Sequence, residues 1–404
     1  MKYTIEEVMQ FVSEEDVKFI RLAFCDVFGK QKNISIIPSE LGRAFKYGIA
    51  IDASAVAGFG GDIHSDLFLR PDPDTLASLP WHPEHGKVVW MYCTVTYPDG
   101  TVFENDSRSI LKKAIDEAKK AGLSFYFGAE MEFYLFKLDE NGEPTNIPYD
   151  RAGYMDTAPY DKGENIRREI CMSLKEMGIS PESAHHEEGQ GQNEIDFRYS
   201  DALSAADNAL TFRKLVKDIA LQNGLWASFS PKPLEGQPGN GFHINVSVKS
   251  ENESNSHFDS VIAGVLQNID AMTLFLNHTE ESYKRLGSHK APKYVTWSSE
   301  NRSQLIRIPA ASGEYKRMEL RSPDPRANPY LAFALVIYSA MDGIKNGLQL
   351  SAPADINLYQ AGRMVTSKYK SLPTNLKDAQ EVARQSEFIK SHLPQMMIDT
   401  YCKK

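Results

Sequence analysis

Four segments of this chain alternate polar and apolar residues with a period of two, and their polar sides are unusual for a solvated surface. In GAEMEFYLF, Glu130 and Glu132 share one face while Met131, Phe133 and Leu135 share the other. In NEIDFRY, Glu194, Asp196 and Arg198 oppose Ile195, Phe197 and Tyr199. In FHINVSV, His243, Asn245 and Ser247 oppose Phe242, Ile244 and Val246. In RMELRSP, Arg317, Glu319 and Arg321 oppose Met318 and Leu320. An antiparallel sheet with one wet face would also alternate. Such a face usually carries Lys, Thr and mixed charge, whereas these carry Glu, His and Arg almost alone. If the strands are neighbours, their carboxylates crowd and repel one another, and cations must be present.

The loop HHEEGQGQNE adds Glu187 just before the second strand. Its glycines suit close approach of the backbone to a ligand, although a Gly-rich connection is more often a plain turn. Many carboxylates with one imidazole and no thiolate favour Mg²⁺ or Mn²⁺ over zinc. Basic residues follow nearby: Arg302 and Arg307 in NRSQLIRIP, then Lys316, Arg317 and Arg321. A lone arginine is usually a surface ion pair. A basic cluster interleaved with apolar strand residues suits the charge that develops on a transferring phosphoryl group. The residues alone therefore point to a metal-dependent enzyme that handles phosphate and carboxylate.

Bulk properties bound this reading. The 404 residues are 42% hydrophobic and 25% charged, a globular balance with length for two or three domains. A formal net charge of -9 argues against nucleic acid or an anionic membrane as partner. Cys25, Cys93, Cys171 and Cys402 form no CxxC pair, so neither a disulfide framework nor a zinc knuckle is expected. The N-terminal segment lacks the pattern of a signal peptide. The apolar run Leu331 to Met341 is too short to span a bilayer and reads as a buried helix. These features suggest a cytoplasmic protein.

Strand-like runs VKFIRLAF and KVVWMYCTVTY lie in residues 1–100, separated by LRPDPDTLASLPWHPEHG, which reads as a long ordered loop. A boundary is expected at TYPDGTVFENDSR, before the helix SRSILKKAIDEAKKAG. Further helices are expected at NIRREICMSLKEMG, SAADNALTFRKLVKDIALQNG, SVIAGVLQNIDAMTLFLN and NPYLAFALVIYSAMDGIKNG.

In this order, IDASAVAGFG, GAEMEFYLF, AGYMDTAPYD, HHEEGQGQNEIDFRYSDAL, PKPLEGQPGNGFHINVSV, ESYKRL, NRSQLIRIP and RMELRSPDPRANPYLAFA closely resemble the glutamine synthetase family, bacterial type, over nearly the whole chain. The resemblance implies an α+β fold. A small β-grasp-like domain (1–100) would precede a catalytic domain (101–404), whose antiparallel sheet forms an active-site half-barrel flanked by helices. It implies an ATP-dependent ligase that phosphorylates the γ-carboxylate of glutamate and couples it to ammonia. Two or more Mg²⁺ or Mn²⁺ ions per site would take part. By the same resemblance, Glu132, Glu187 and Glu194 would hold one cation, and Glu130, His243 and Glu319 a second. Arg302, Arg307, Lys316, Arg317, Asn245 and Ser247 would meet ATP and its phosphates. Glu132, Gly239, Arg285 and Arg321 would bind the amino-acid substrate. Asp52, Arg302 and Glu187 would carry catalytic roles, with Asp52 supplied by a neighbouring subunit to take a proton from ammonium. The family's sites form between subunits of a six-membered ring, often two rings stacked.

The chain departs from the family pattern around the amine. Lys290, in RLGSHKAPKY, stands where the family's flap glutamate is expected, and Ala55 replaces the last serine of the latch motif. Pro238 stands where an Asn normally precedes the substrate-loop glycine. With Tyr154, Ala55 and Lys290 outline an altered amine pocket. Two alternatives follow: a γ-glutamylamine synthetase that uses an alkylamine or polyamine, and a non-catalytic regulatory paralogue. The sequence stops at MMIDTYCKK, where the family continues with a further helix and strap, so a hexameric ring or a less stable double ring is expected.

Overall fold

The computed structural model describes residues 3–61, 65–80, 86–251, 257–311 and 316–403. It opens with helix α1 (Ile5–Glu14), started by a reciprocal cap in which Thr4 Oγ1 accepts from Glu7 N and the Glu7 carboxylate accepts from Thr4 N. Strands β1 (Phe19–Cys25), β2 (Gln31–Ile36), β3 (Ile49–Asp52), β4 (Asp66–Pro71), β5 (Ala77–Ser78) and β6 (Val88–Thr96) form one sheet in the order β2-β1-β6-β4-β3, with β5 also on β6. Helix α2 (Leu41–Tyr47) packs against β4.

The Pro- and Asp-rich stretch is not a single long loop, as its composition suggested. It contains β4, a turn at Pro73–Thr75 and β5, while residues 81–85 lie outside the described residues. Pro71 is tolerated because it ends its strand, where a missing ladder donor costs little.

Helix α3 (Ser107–Lys120) leads to β7 (Leu123–Leu138), the spine of a second, nine-stranded sheet. The remaining strands are β8 (Pro144–Pro148), β9 (Pro181–His186), β10 (Gln192–Asp201), β11 (Leu225–Ser228), β12 (Phe242–Ser250), β13 (Trp297–Ser299), β14 (Ile306–Ile308) and β15 (Met318–Leu320). The order is β13-β14-β15-β12-β7-β10-β9, with β8 and β11 also on β7. The sheet curls into a half-barrel. It is antiparallel as expected except at one edge, where β13 and β14 run parallel.

The expected helices form as α4 (Glu164–Glu176), α5 (Ala202–Gln222), α6 (Phe258–Leu276) and, after the short α7 (Glu280–Arg285), α8 (Pro329–Lys345). The apolar faces of β7 and β12 pack on these helices: the rings of Phe127 and Phe333 stack at 4.2 Å. Helix α8 is buried almost all round, and no helix among the described residues is long and apolar enough to cross a membrane. Helices α6 and α8 cross at Gly264 and Gly343, where a Cβ on Gly264 would lie 2.1 Å from Ser339 O. Short helices between Arg363 and Cys402 close the chain.

Buried polar groups join turns of the N-terminal sheet to helices α3, α5 and α8 of the second domain. Arg108 donates to both Asp207 oxygens at 3.0 and 2.9 Å and to Asp72 at 2.9 Å. Asn328 Nδ2 donates to Val27 O, and Arg213 to Gly29 O. The four cysteines are free thiols.

Candidate active site

The pleat sends Met131, Phe133, Ile195, Phe242, Ile244, Met318 and Leu320 into the core, each fully buried. Their neighbours along each strand must then face the other side of the sheet. Register aligns those neighbours into rows. Glu132 stands opposite Glu194, and Glu194 opposite His185. Glu130 stands opposite Asp196 on one side and His243 on the other. Glu319 stands opposite Asn245 and Arg307. Alternation in four separate segments becomes one acidic surface because β15, β12, β7 and β10 are adjacent.

The ligand atoms of Glu130, His243 and Glu319 lie within 4.8 Å of one another, with His243 Nδ1 3.4 Å from Glu130 and 3.8 Å from Glu319. The other expected triad, Glu132, Glu187 and Glu194, is arranged less simply. Glu194 clusters with Glu132 and His243, and also with His185 and Glu187. His185 Nε2 lies 3.3 Å from Glu194 Oε1.

Crowding shifts these acids. Burial, then Glu132, pushes Glu187 up to about 7. Burial, then Glu130, pushes Asp196 up to about 8. Burial, then Asp196 and Glu132, drives Glu194 well above the carboxylate range. Burial also works against the Glu130 carboxylate, but hydrogen bonds from His243 and Asn245 outweigh it and hold the group at about 2. Buried oxygens that repel one another, with the imidazoles of His243 and His185 among them, fit hard divalent cations, whose charge would reverse these shifts.

Basic groups face the acids. Arg307 and Arg321 both pair with the fully buried Glu319, Arg307 at 2.6 Å. Arg317 Nε donates to Asn245 Oδ1 at 2.9 Å, and Asn245 Nδ2 donates to Glu130 at 2.8 Å. Arg285 is buried and donates to Ser322 O and Arg321 O. Glu130, Glu132, Tyr154, Glu187, Glu194, Gly239, His243, Arg285, Lys290, Arg302, Arg307, Arg317 and Arg321 all line one cavity of about 420 Å³. A second cavity of about 700 Å³ shares Glu130, Asp196 and Arg317 with it and is walled by Tyr126, Tyr199, Asn245 and Ser247.

Three residues singled out in the sequence lie elsewhere. Lys316 does not line either cavity; its ammonium sits 4.3 Å from the centre of the Phe258 ring. Asp52 and Ala55 belong to the N-terminal sheet and the turn after it. There the exposed Asp52 accepts from Ser54 N at 2.9 Å and Ser54 Oγ at 2.7 Å.

Several residues of the site carried no separate signal in the sequence. Gln192 Nε2 donates to Glu132, Gly239 O and Asn240 Oδ1, and Gly241 N donates to Glu132 at 2.7 Å, so Glu132 is held in place. Behind Glu187, the buried His186 places Nδ1 2.7 Å from Glu187 O and Nε2 2.8 Å from Asp150 Oδ1. Asp150 also accepts from Gly191 N, which fixes both ends of the loop. Lys290 pairs with Glu188 at 2.5 Å. The doubled His and doubled Glu of HHEEGQGQNE were the available hint: both glutamates line the cavity, but of the histidines only His185 does, and nothing local separates it from the buried His186.

Comparison with known proteins agrees with this geometry. The model of "Glutamine synthetase, beta-Grasp domain" matches residues 16–98, and that of "Glutamine synthetase, catalytic domain" matches residues 104–404. The chain is 43% identical to the glutamine synthetase of Clostridium saccharobutylicum over 414 residues, covering 99% of this chain and 94% of that relative. It is 42% identical to the glutamine synthetase of Methanosarcina mazei over 417 residues, covering 99% and 93%. Among solved structures it is similar to a GmaS/ADP complex, with TM-score 0.88, 27% identity, and coverage of 100% of this chain and 94% of that one.

Proposed function

The chain belongs to the glutamine synthetase family and is a ligase that forms a carbon–nitrogen bond, and from that premise we propose that it makes glutamine from glutamate, ammonia and ATP. The observation that carries this reading is the juxtaposition, in one cavity, of Glu130, Glu132, Glu187, Glu194 and His243 with Arg285, Arg302, Arg307, Arg317 and Arg321. Two like-charged substrates, a carboxylate and a triphosphate, must meet there, and neither set of charges alone would allow it.

In the first step a γ-carboxylate oxygen of glutamate attacks the γ-phosphorus of ATP, and ADP leaves. In the second, the amine nitrogen attacks the acyl carbon, loses a proton, and phosphate leaves. Arg302, Arg307 and Arg317 neutralise the phosphoryl oxygens as charge shifts toward ADP. Arg285 and Arg321 hold the carboxylates of glutamate beside Gly239. Asn245, Ser247 and the tyrosine-walled second cavity suit the rest of the nucleotide. Glu130, His243 and Glu319 would hold one divalent cation and Glu132, Glu187 and Glu194 another, and bound cations would screen the repulsion between phosphate and carboxylate.

Asp52 would accept the ammonium proton in a neighbour's cavity, within a ring-shaped homo-oligomer. The support is its exposure on the N-terminal sheet, apart from the cavity of its own chain. An organic amine as second substrate is the other reading, favoured by Tyr154 and Glu188 in the cavity lining.

The test is phosphate release from ATP with Mg²⁺ and glutamate, comparing ammonium with methylamine, ethylamine and a diamine. Fastest turnover with ammonium supports glutamine formation. Poor ammonium use with good alkylamine use selects the γ-glutamylamine reading. Nucleotide binding without turnover with any amine overturns both.

A further inference from the structure

Lys290 carries its charge across the cavity to a specific receptor. Its ammonium lies 2.5 Å from Glu188 Oε1 and 5.4 Å from the centre of the Tyr154 ring. Tyr154 is set by an edge contact with His185, ring centres 5.4 Å apart at 74°. The segment that bears Lys290 is anchored from beneath: Lys232 Nζ donates to Ser288 Oγ at 3.1 Å and to Gln237 O at 2.5 Å. A carboxylate beside an aromatic face is the chemistry that recognises an organic ammonium ion. Here that receptor is filled by the chain itself.

We propose that Glu188 and Tyr154 form a subsite for a primary organic ammonium group, and that Lys290 is its tethered occupant and excludes such amines from the reaction. The inference rests on the ligase reading for its catalytic consequence, though not for the binding event. A tethered group competes at a high effective concentration, so a free alkylammonium loses to it. Ammonium meets the same carboxylate and ring face but offers no alkyl group, so it lacks the apolar contact with the ring that an alkylammonium adds. Because Glu188 offsets Lys290, the lysine adds little net charge to the cavity. Both groups are partly exposed, at 47% and 38% of their side chains, so the pair is weak enough to exchange once the tether is cut.

The experiment compares the full-length wild type with Lys290→Met, and with Lys290→Met combined with Glu188→Gln. The ratio of kcat/KM for methylamine to that for ammonium is expected to rise about three- to tenfold in Lys290→Met and to fall back in the double variant. Methylammonium chloride is also titrated against each protein and its effect on Tm read, with potassium chloride as control. Stabilisation is expected in Lys290→Met only. An unchanged ratio with no methylammonium-specific stabilisation overturns the inference, as does a gain that survives Glu188→Gln. If no variant releases phosphate with any amine, the ligase reading fails, and the Tm titration alone decides the subsite.

Discussion

Glu132 and Glu194 stand directly opposite each other on antiparallel strands, and both line the same cavity. Two like charges at that spacing are unfavourable unless something positive lies between or beside them. Their persistence beside Glu187, Asp196 and Glu130 is the clearest physical argument for a cation site.

Divalent cations should therefore stabilise the fold. Addition of Mg²⁺ or Mn²⁺ at about 100 times its Kd is expected to raise stability by about 2.7 kcal/mol, and EDTA to reverse it. Differential scanning fluorimetry across a metal titration checks this. Equal Tm with and without metal would remove the support for the site.

Glu319 neutralises two arginines, the buried Arg321 and the half-buried Arg307, and has no exposed surface of its own. Glu319→Ala leaves both cations uncompensated and is expected to cost about 3–5 kcal/mol. Urea denaturation measures it. A loss within about 1 kcal/mol would mean that these charges are compensated elsewhere.

Helices α6 and α8 approach as closely as backbone allows. A Cβ at Gly343 would lie 2.0 Å from Ser260 O, so Gly343→Ala must push the helices apart, at a cost of about 1–3 kcal/mol. Gly362→Ala is the control, since nothing lies within 4 Å of that Cβ. Matching stabilities for the two variants would refute the close crossing.

His186 makes stability depend on pH. Both ring nitrogens face acceptors, so the imidazolium satisfies both contacts. Burial opposes the charge, but Asp150 outweighs it and raises the pKa above the ordinary 6.5. A raised pKa stabilises fully below 6.5, and that stabilisation is lost as pH climbs through the folded value. Asp150, pushed up by burial but held below 3.8 overall by His186, stabilises above 3.8 and loses this as pH falls through its lowered value. Tm is expected to decline on the alkaline side, and His186→Gln to flatten that decline. Parallel slopes in the two proteins would count against the buried ion pair.

The sequence by itself carried the chemistry of the site. Alternation is a local property of an extended backbone, so the faces holding Glu130, Glu132, Glu194, His243 and Glu319 could be assigned segment by segment, as could the five long helices. Their ordered motifs also carried the resemblance to the family. Neighbours were another matter. Register between distant strands set Glu132 against Glu194 and Glu130 against both Asp196 and His243. Tertiary packing turned Lys316 away toward Phe258, although its charge and position suited phosphate. It also left Asp52 outside the cavity of its own chain and joined Lys290 to Glu188 and His186 to Asp150. Such pairs depend on chain crossings between segments far apart in sequence, and no local periodicity encodes them.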